Sequence, residues 1–74
     1  GMGTVPGKAA LININTADEA QLTSLKGIGP TKAKAITQYR QEHGPFKTVD
    51  DLKKVSGIGD KTLASLKPFI TVGP

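Results

Sequence analysis

The sequence predicts an all-α domain, a compact bundle of four to five short helices, and three observations lead there. The chain repeats itself at an offset of 30 residues: Leu22, Gly27, Ile28 and Gly29 recur as Leu52, Gly57, Ile58 and Gly59. Apolar residues inside each repeat recur at spacings of three and four, as one face of a helix requires. Helix start and stop signals bracket each of those stretches.

Seventy-four residues make one domain, near the lower size at which a chain folds without staples. A chain this short buries only about 60% of the surface its unfolded form exposes. Its stability must come from a dense apolar core, and Leu, Ile, Val and Ala supply one. With no Cys, neither a disulfide nor a thiolate zinc site contributes, and the compartment is left open. The formal charge of +4 favours a polyanionic partner. No apolar run approaches the ~18 residues of a membrane span, and no signal peptide is recognisable.

Residues 1–10 (GMGTVPGKAA) carry no apolar period and read as flexible linker, with Gly1-Met2-Gly3 resembling an expression scar. On that reading the sequence is a trimmed domain spanning 11–74, with any targeting or anchoring segment removed. Leu11-Ile12-Asn13-Ile14-Asn15 places Ile12 and Ile14 on one side of an extended stretch. It has no strand partner in this reading and packs onto the helices.

Thr16-Ala17-Asp18-Glu19 has the form of a capping box, so a first helix is expected from about Ala17 to Leu25, with Leu22 and Leu25 inward. Gly27 closes it, since glycine accepts the left-handed conformation of a helix end. Pro30 suits the first turn of a second helix, where a missing N–H costs nothing. That helix runs to about Glu42 with Ala33, Ile36 and Tyr39 buried; His43 sits at its negative end and Gly44-Pro45 stops it. Thr48-Val49-Asp50-Asp51 starts a third helix reaching about Val55, with Val49, Leu52 and Val55 on one face. Gly57 ends it. A fourth helix from about Asp60 to Lys67 presents Leu63 and Leu66, and Pro68-Phe69-Ile70 returns two large apolar groups to the core.

Each unit, about 16–43 and 48–70, therefore reads as helix, Gly-Ile-Gly turn, helix. Beyond the identical positions, Leu25 corresponds to Val55, Ile36 to Leu66 and Tyr39 to Phe69. Neither unit has enough apolar surface alone. Packed about a pseudo-twofold axis, the two share a core and present both turns on one side.

Such a turn is suited to a phosphate. Its glycines remove Cβ atoms and allow positive φ, while Ile28 or Ile58 pins the turn inward. The free N–H groups opening the next helix then face solvent at the positive end of its dipole. The candidate donors are Gly29, Thr31 and Lys32 in the first turn, and Gly59, Lys61 and Thr62 in the second. Lysines add charge: Lys26, Lys32 and Lys34 beside Gly27-Ile28-Gly29, and Lys53, Lys54 and Lys61 beside Gly57-Ile58-Gly59. The acids Asp18, Glu19, Asp50 and Asp51 lie at the far ends of the leading helices, as caps. One Gly-x-Gly between helices is ordinarily just a tight turn. The recurrence of the same turn, after the same Leu and before a lysine-flanked helix start, points to nucleic acid.

The residues Leu22-x-x-Leu25-x-Gly27-Ile28-Gly29-x-x-x-Ala33, repeated as Leu52-x-x-Val55-x-Gly57-Ile58-Gly59, resemble the helix-hairpin-helix consensus, whose fold is SAM-like. With Asn13-Ile14-Asn15-Thr16-Ala17, Tyr39-Arg40, Gly44-Pro45-Phe46 and Gly57-Ile58-Gly59-Asp60-Lys61-Thr62-Leu63, residues 11–70 resemble the tandem helix-hairpin-helix domains of ComEA-like competence proteins. The resemblance implies a receptor that captures double-stranded DNA without reading sequence during DNA uptake in natural transformation. It implies minor-groove docking, with hairpin N–H groups bonding phosphates of both strands, and other DNA-uptake proteins as further partners. It also implies a periplasmic protein, or one on the outer face of the cytoplasmic membrane, whose DNA-binding domain does not itself touch the membrane. Hairpin carbonyls of this motif can hold a structural monovalent cation; no other cofactor or metal is implied. Two departures stand out. Leu63 replaces the small Ala33, and Asp60 stands where the first unit has Pro30, so the first hairpin is expected to bind more strongly.

Other readings fit less well. No nucleophile sits beside the carboxylates, whose capping positions explain them, and His43 reads as a capping or solvated residue, so the chain is not expected to be an enzyme. A helical protein-interaction module is the main alternative, and an accessory DNA-binding domain of a larger repair protein is another. Tyr39, Phe46 and Phe69 would serve a contact surface, but their spacing fits the core better. With only three aromatics the chain lacks the platform that single-stranded RNA requires.

Overall fold

The computed structural model describes residues 11–73, so the linker expected over 1–10 lies outside the described residues. In chain order the elements are strand β1 (Ile12–Asn13), helix α1 (Glu19–Thr23), helix α2 (Pro30–His43), a 3-10 helix (Val49–Lys54), helix α3 (Asp60–Leu66), a short 3-10 turn (Lys67–Phe69) and strand β2 (Ile70–Thr71).

The first helix is shorter than its sequence suggests and is capped two residues later. Asp18, not Thr16, is the cap: its carboxylate accepts from the Gln21 N–H at 2.8 Å, and the Gln21 side-chain oxygen accepts from the Asp18 N–H at 3.1 Å. The amides of Thr16 and Ala17 are already committed, donating to the Asn13 carbonyl at 3.1 and 2.9 Å. They form a turn, not a helix. The third expected helix is a 3-10 helix whose start is tied by Asp51, which accepts from the N–H groups of Lys47 at 3.1 Å and Thr48 at 3.2 Å.

The all-α expectation needs one correction. The extended stretch has a partner after all: Ile12 pairs with Ile70 and Asn13 with Thr71 in a two-stranded parallel sheet, and the Ile14 N–H continues to the Thr71 carbonyl at 2.9 Å. A parallel pair needs a long crossover, and here the whole helical body supplies it.

The core is repeat against repeat. Leu22 and Leu52, Leu25 and Val55, Ile28 and Ile58, Ala33 and Leu63, and Ile36 and Leu66 are all buried. Ile14, Ala17, Phe46 and Ile70 fill the side where the sheet closes. Two rings depart from expectation: Tyr39 is only half-buried, and Phe69, expected in the core, is 40% exposed. Phe69 lies in the short 3-10 turn, from which its neighbour Ile70 takes the inward position.

Polar groups lock the ends together. The Asn15 amide donates to the carbonyls of Phe46 at 3.0 Å and Val72 at 2.8 Å, and its oxygen accepts from the Phe46 N–H at 2.7 Å. One Nη of Arg40 donates to the carbonyls of Ile14 at 2.9 Å and Ala17 at 2.8 Å. Among the described residues, no helix is long and apolar enough to cross a membrane.

Candidate nucleic-acid interface

The two Gly-Ile-Gly turns are built alike, residue for residue. Leu25 and Val55 accept from the N–H groups of Ile28 and Ile58 at 3.0 and 3.1 Å, closing each leading helix. Gly27 and Gly57 then take φ of +83° and +93°, a region that side chains disfavour, and the chain reverses. Ile28 and Ile58 insert into the core, each 4% exposed. Their side chains are therefore pins, and only their backbone is left to meet a ligand.

The second glycines serve another purpose than the one expected. Gly29 and Gly59 have φ of −93° and −103°, which any residue adopts. A Cβ at either would meet nothing within 4 Å. Neither backbone nor packing demands glycine there; what it provides is bare, approachable backbone.

That backbone is rich in unused donors. Gly29 and Gly59 are the N-caps of α2 and α3, and neither helix has a side-chain cap, whereas acids tie both leading helices. The first helical bonds run from Ala33 to the Gly29 carbonyl at 2.9 Å and from Leu63 to the Gly59 carbonyl at 3.0 Å. Among the described residues, the amides of Gly29, Thr31, Lys32, Gly59, Lys61 and Thr62 donate to no protein group. The two turns are also neighbours. A Cβ on Gly57 would lie 3.6 and 3.7 Å from Cε and Cγ of Lys32, so the Lys32 stem runs over the second turn.

The lysines are less uniform than their spacing suggests. Lys53 pairs with Asp60 at 3.2 Å and Lys54 with Asp51 at 3.6 Å, so the charges expected to support the second turn face acids of their own unit. Lys67 likewise pairs with Asp50 at 2.8 Å. Among the described residues, no carboxylate lies within 4.0 Å of the ammonium of Lys26, Lys32, Lys34 or Lys61. Asp60 does not cap its helix; it stays exposed at the turn, held by Lys53.

A sequence model of the helix-hairpin-helix motif family matches residues 7–71. The chain belongs to the helix-hairpin-helix family. It is similar to ComE operon protein 1 of Bacillus subtilis (strain 168), with 53% identity over 66 residues, 89% of this chain and 32% of that protein. An uncharacterized protein of Haemophilus influenzae is 51% identical over 53 residues, 70% of this chain and 47% of its own length. The human endonuclease/exonuclease/phosphatase family domain-containing protein 1 is 49% identical over 47 residues, 64% of this chain and 8% of that protein. The chain thus spans about a third of the length of ComE operon protein 1.

Within the helix-hairpin-helix frame, the remaining polar residues sort plainly. Asn15 and Arg40 hold the ends of the chain and serve the fold. Their signal was weak because each bonds to backbone far away in sequence. His43 stacks on Tyr39, with centroids 4.3 Å apart and planes at 30°, and its Nε2 lies 3.9 Å from Glu42. Burial pushes the Asp51 carboxyl up, but the N–H groups of Thr48 and Lys47 and the Lys54 ammonium outweigh it and hold its pKa below the ordinary aspartate value. Among the described residues, no group of three or more His, Asp or Glu is arranged to hold a metal ion.

Proposed function

We propose that this helix-hairpin-helix domain binds double-stranded DNA without reading its sequence, acting as a binding protein and not as an enzyme. The hairpin amides of Gly29, Thr31, Lys32, Gly59, Lys61 and Thr62 bond phosphate oxygens, with Lys26, Lys32, Lys34 and Lys61 adding charge. Two adjacent turns suit the two phosphate rails that border a minor groove. The observation that carries this reading is the open N-terminus of α2: no side-chain cap, and a glycine that the fold does not need. The starts of the two leading helices are tied by acids; those of α2 and α3 are left for an outside acceptor.

Family membership and the likeness to ComE operon protein 1 support DNA binding and a role in competence. The finer role we infer is capture of incoming duplex during uptake, in the periplasm or on the outer face of the cytoplasmic membrane. A second reading, a DNA-binding element of a larger processing protein, is favoured by the match to the much longer endonuclease/exonuclease/phosphatase family domain-containing protein 1.

The test is titration of a short random duplex with the native chain and a Lys32→Glu, Lys61→Glu double variant at two salt concentrations. With about four to six phosphates contacted, log affinity falls with log salt at a slope near −4 to −5. The variant binds at least about tenfold more weakly and with a shallower slope. Unchanged binding by the variant would falsify the hairpin mechanism.

A further inference from the structure

The two repeats differ in what covers the aromatic ring near their ends. Tyr39 and Phe69 stand 30 positions apart, as equivalents in the repeat. Each faces the end of the other unit's leading helix. Tyr39 lines a groove with Lys54, Val55 and Ser56; Phe69 lines one with Ser24, Leu25 and Lys26, the same positions exchanged between units.

The Tyr39 ring is covered from within the chain, although the groove it lines is as roomy as the other, about 270 Å³. Because α2 continues a full turn beyond Tyr39, His43 lays its imidazole on the ring at 4.3 Å, and Phe46 stacks at 5.3 Å and 11°. After Phe69 the chain turns at once into β2, and nothing comparable follows. Phe69 has no ring stacked on it among the described residues, where it is the one large apolar side chain left exposed. The groove beside it, about 270 Å³, has an apolar floor of Ile12 and Leu25 and the Lys26 ammonium among its lining groups. No carboxylate lines it, whereas Glu42 lines its counterpart. Lys26 immediately precedes Gly27, so the groove ends next to the first hairpin turn.

We propose that the Phe69 groove seats one unpaired nucleobase, stacked on the Phe69 ring, with a neighbouring phosphate at Lys26. The inference rests on the DNA-binding reading above. The internal repeat shows what such a ring takes as a neighbour: the equivalent Tyr39 carries planar rings, the imidazole of His43 and the phenyl of Phe46. A base is a ring of that kind carried on an anionic chain, and both features match the groove. An aromatic side chain of a second protein satisfies the floor but brings no charge for Lys26. Only one of the three aromatic rings is open, so the groove takes one base and does not form a platform for a whole strand. The domain therefore prefers duplex with a single-stranded extension over blunt duplex.

The experiment is an anisotropy titration of the 74-residue chain with three DNAs. They are a blunt duplex, the same duplex with short single-stranded extensions, and the extended duplex with abasic sites replacing the extension's bases. The extended duplex binds about three- to tenfold more tightly than the blunt one, and the abasic form loses that gain. The ratio falls only shallowly with added salt, because stacking releases no counterions and the Lys26 contact releases about one. Phe69→Leu keeps an apolar side chain at the site, binds blunt duplex as the native chain does, and shows no gain. Equal affinity for blunt and extended duplexes overturns the proposal, as does a gain that persists with abasic extensions or in Phe69→Leu. Self-association that depends on Phe69, in place of the gain, assigns the groove to a second copy and overturns it too. Failure to bind even blunt duplex defeats the DNA-binding reading itself, a result distinct from binding without preference.

Discussion

The aliphatic stem of Lys32 lies over Gly57, so the helix that starts at the first hairpin leans on the second. The contact has two consequences. It makes the two turns one continuous surface, and it restrains the Lys32 side chain, which is half-buried, before any ligand arrives. Lys61, the equivalent cation in sequence position, is exposed and shares its turn with Asp60.

Charge reversal should therefore separate the two hairpins. Lys32→Glu is expected to weaken duplex binding by about tenfold or more, and Lys61→Glu by a smaller factor. Asp60→Asn removes an anion beside the second turn and releases Lys53, raising affinity about two- to threefold at low salt. Titration of one duplex with the three variants checks the order. A larger loss in Lys61→Glu than in Lys32→Glu contradicts the ranking.

Gly29→Ser should trade binding for stability. Serine is among the favoured N-caps, its backbone here needs no positive φ, and its Cβ meets nothing. The hydroxyl takes up an amide that otherwise points outward. We expect a gain of a few tenths of a kcal/mol, raising Tm by about 1–3 °C, with a severalfold loss of duplex affinity. Thermal melts and titrations of one preparation measure both. A stabilised variant that binds normally removes the argument for the open helix start.

Asn15→Ala should be the costliest of these substitutions to the fold. It deletes three hydrogen bonds and leaves the Phe46 N–H and two carbonyls, of Phe46 and Val72, without their partner. The expected loss is about 2–4 kcal/mol, visible as a large fall in denaturation midpoint. Asn15→Asp keeps the acceptor for Phe46 but loses both donations, and should also be destabilising. A loss under about 0.5 kcal/mol for Asn15→Ala would show that water replaces these bonds.

Acid should reveal Asp51. Its folded pKa lies below the ordinary value of 3.8, so the stability it confers is fully present above that value. That stability is lost as the pH falls through the folded pKa. Melting the native chain and Asp51→Asn from about pH 6 to about pH 2 should show a constant gap above about pH 4 that closes below it. A gap that widens on acidification would reverse the assignment.

Much of this fold was legible in the sequence because its signals are local. The Gly27 and Gly57 turns, Pro30 at a helix start and the inward Leu22 and Leu52 each follow from a few adjacent residues. The failures share a cause. Thr16-x-x-Glu19 and Asp18-x-x-Gln21 are overlapping caps, and what decides between them is Asn13, whose carbonyl holds the Thr16 and Ala17 amides. Each strand has two residues, too few for a period, and its partner lies 58 positions away. At the candidate site, the glycines and nearby lysines could be read directly. That Lys53 and Lys54 face acids depends on the local geometry of the second unit, and that Lys32 crosses to the other turn depends on packing between the units.

The pairing of Ile12–Asn13 with Ile70–Thr71 closes the chain into a clasp around its two repeats. A third unit appended after Ile70 would have to displace that clasp, so this architecture does not lengthen as a solenoid does. Each folded body is thereby fixed at two hairpin turns. On the proposed DNA-binding reading, a firmer hold on a long polymer comes from many such bodies side by side, with their effective concentration setting the grip.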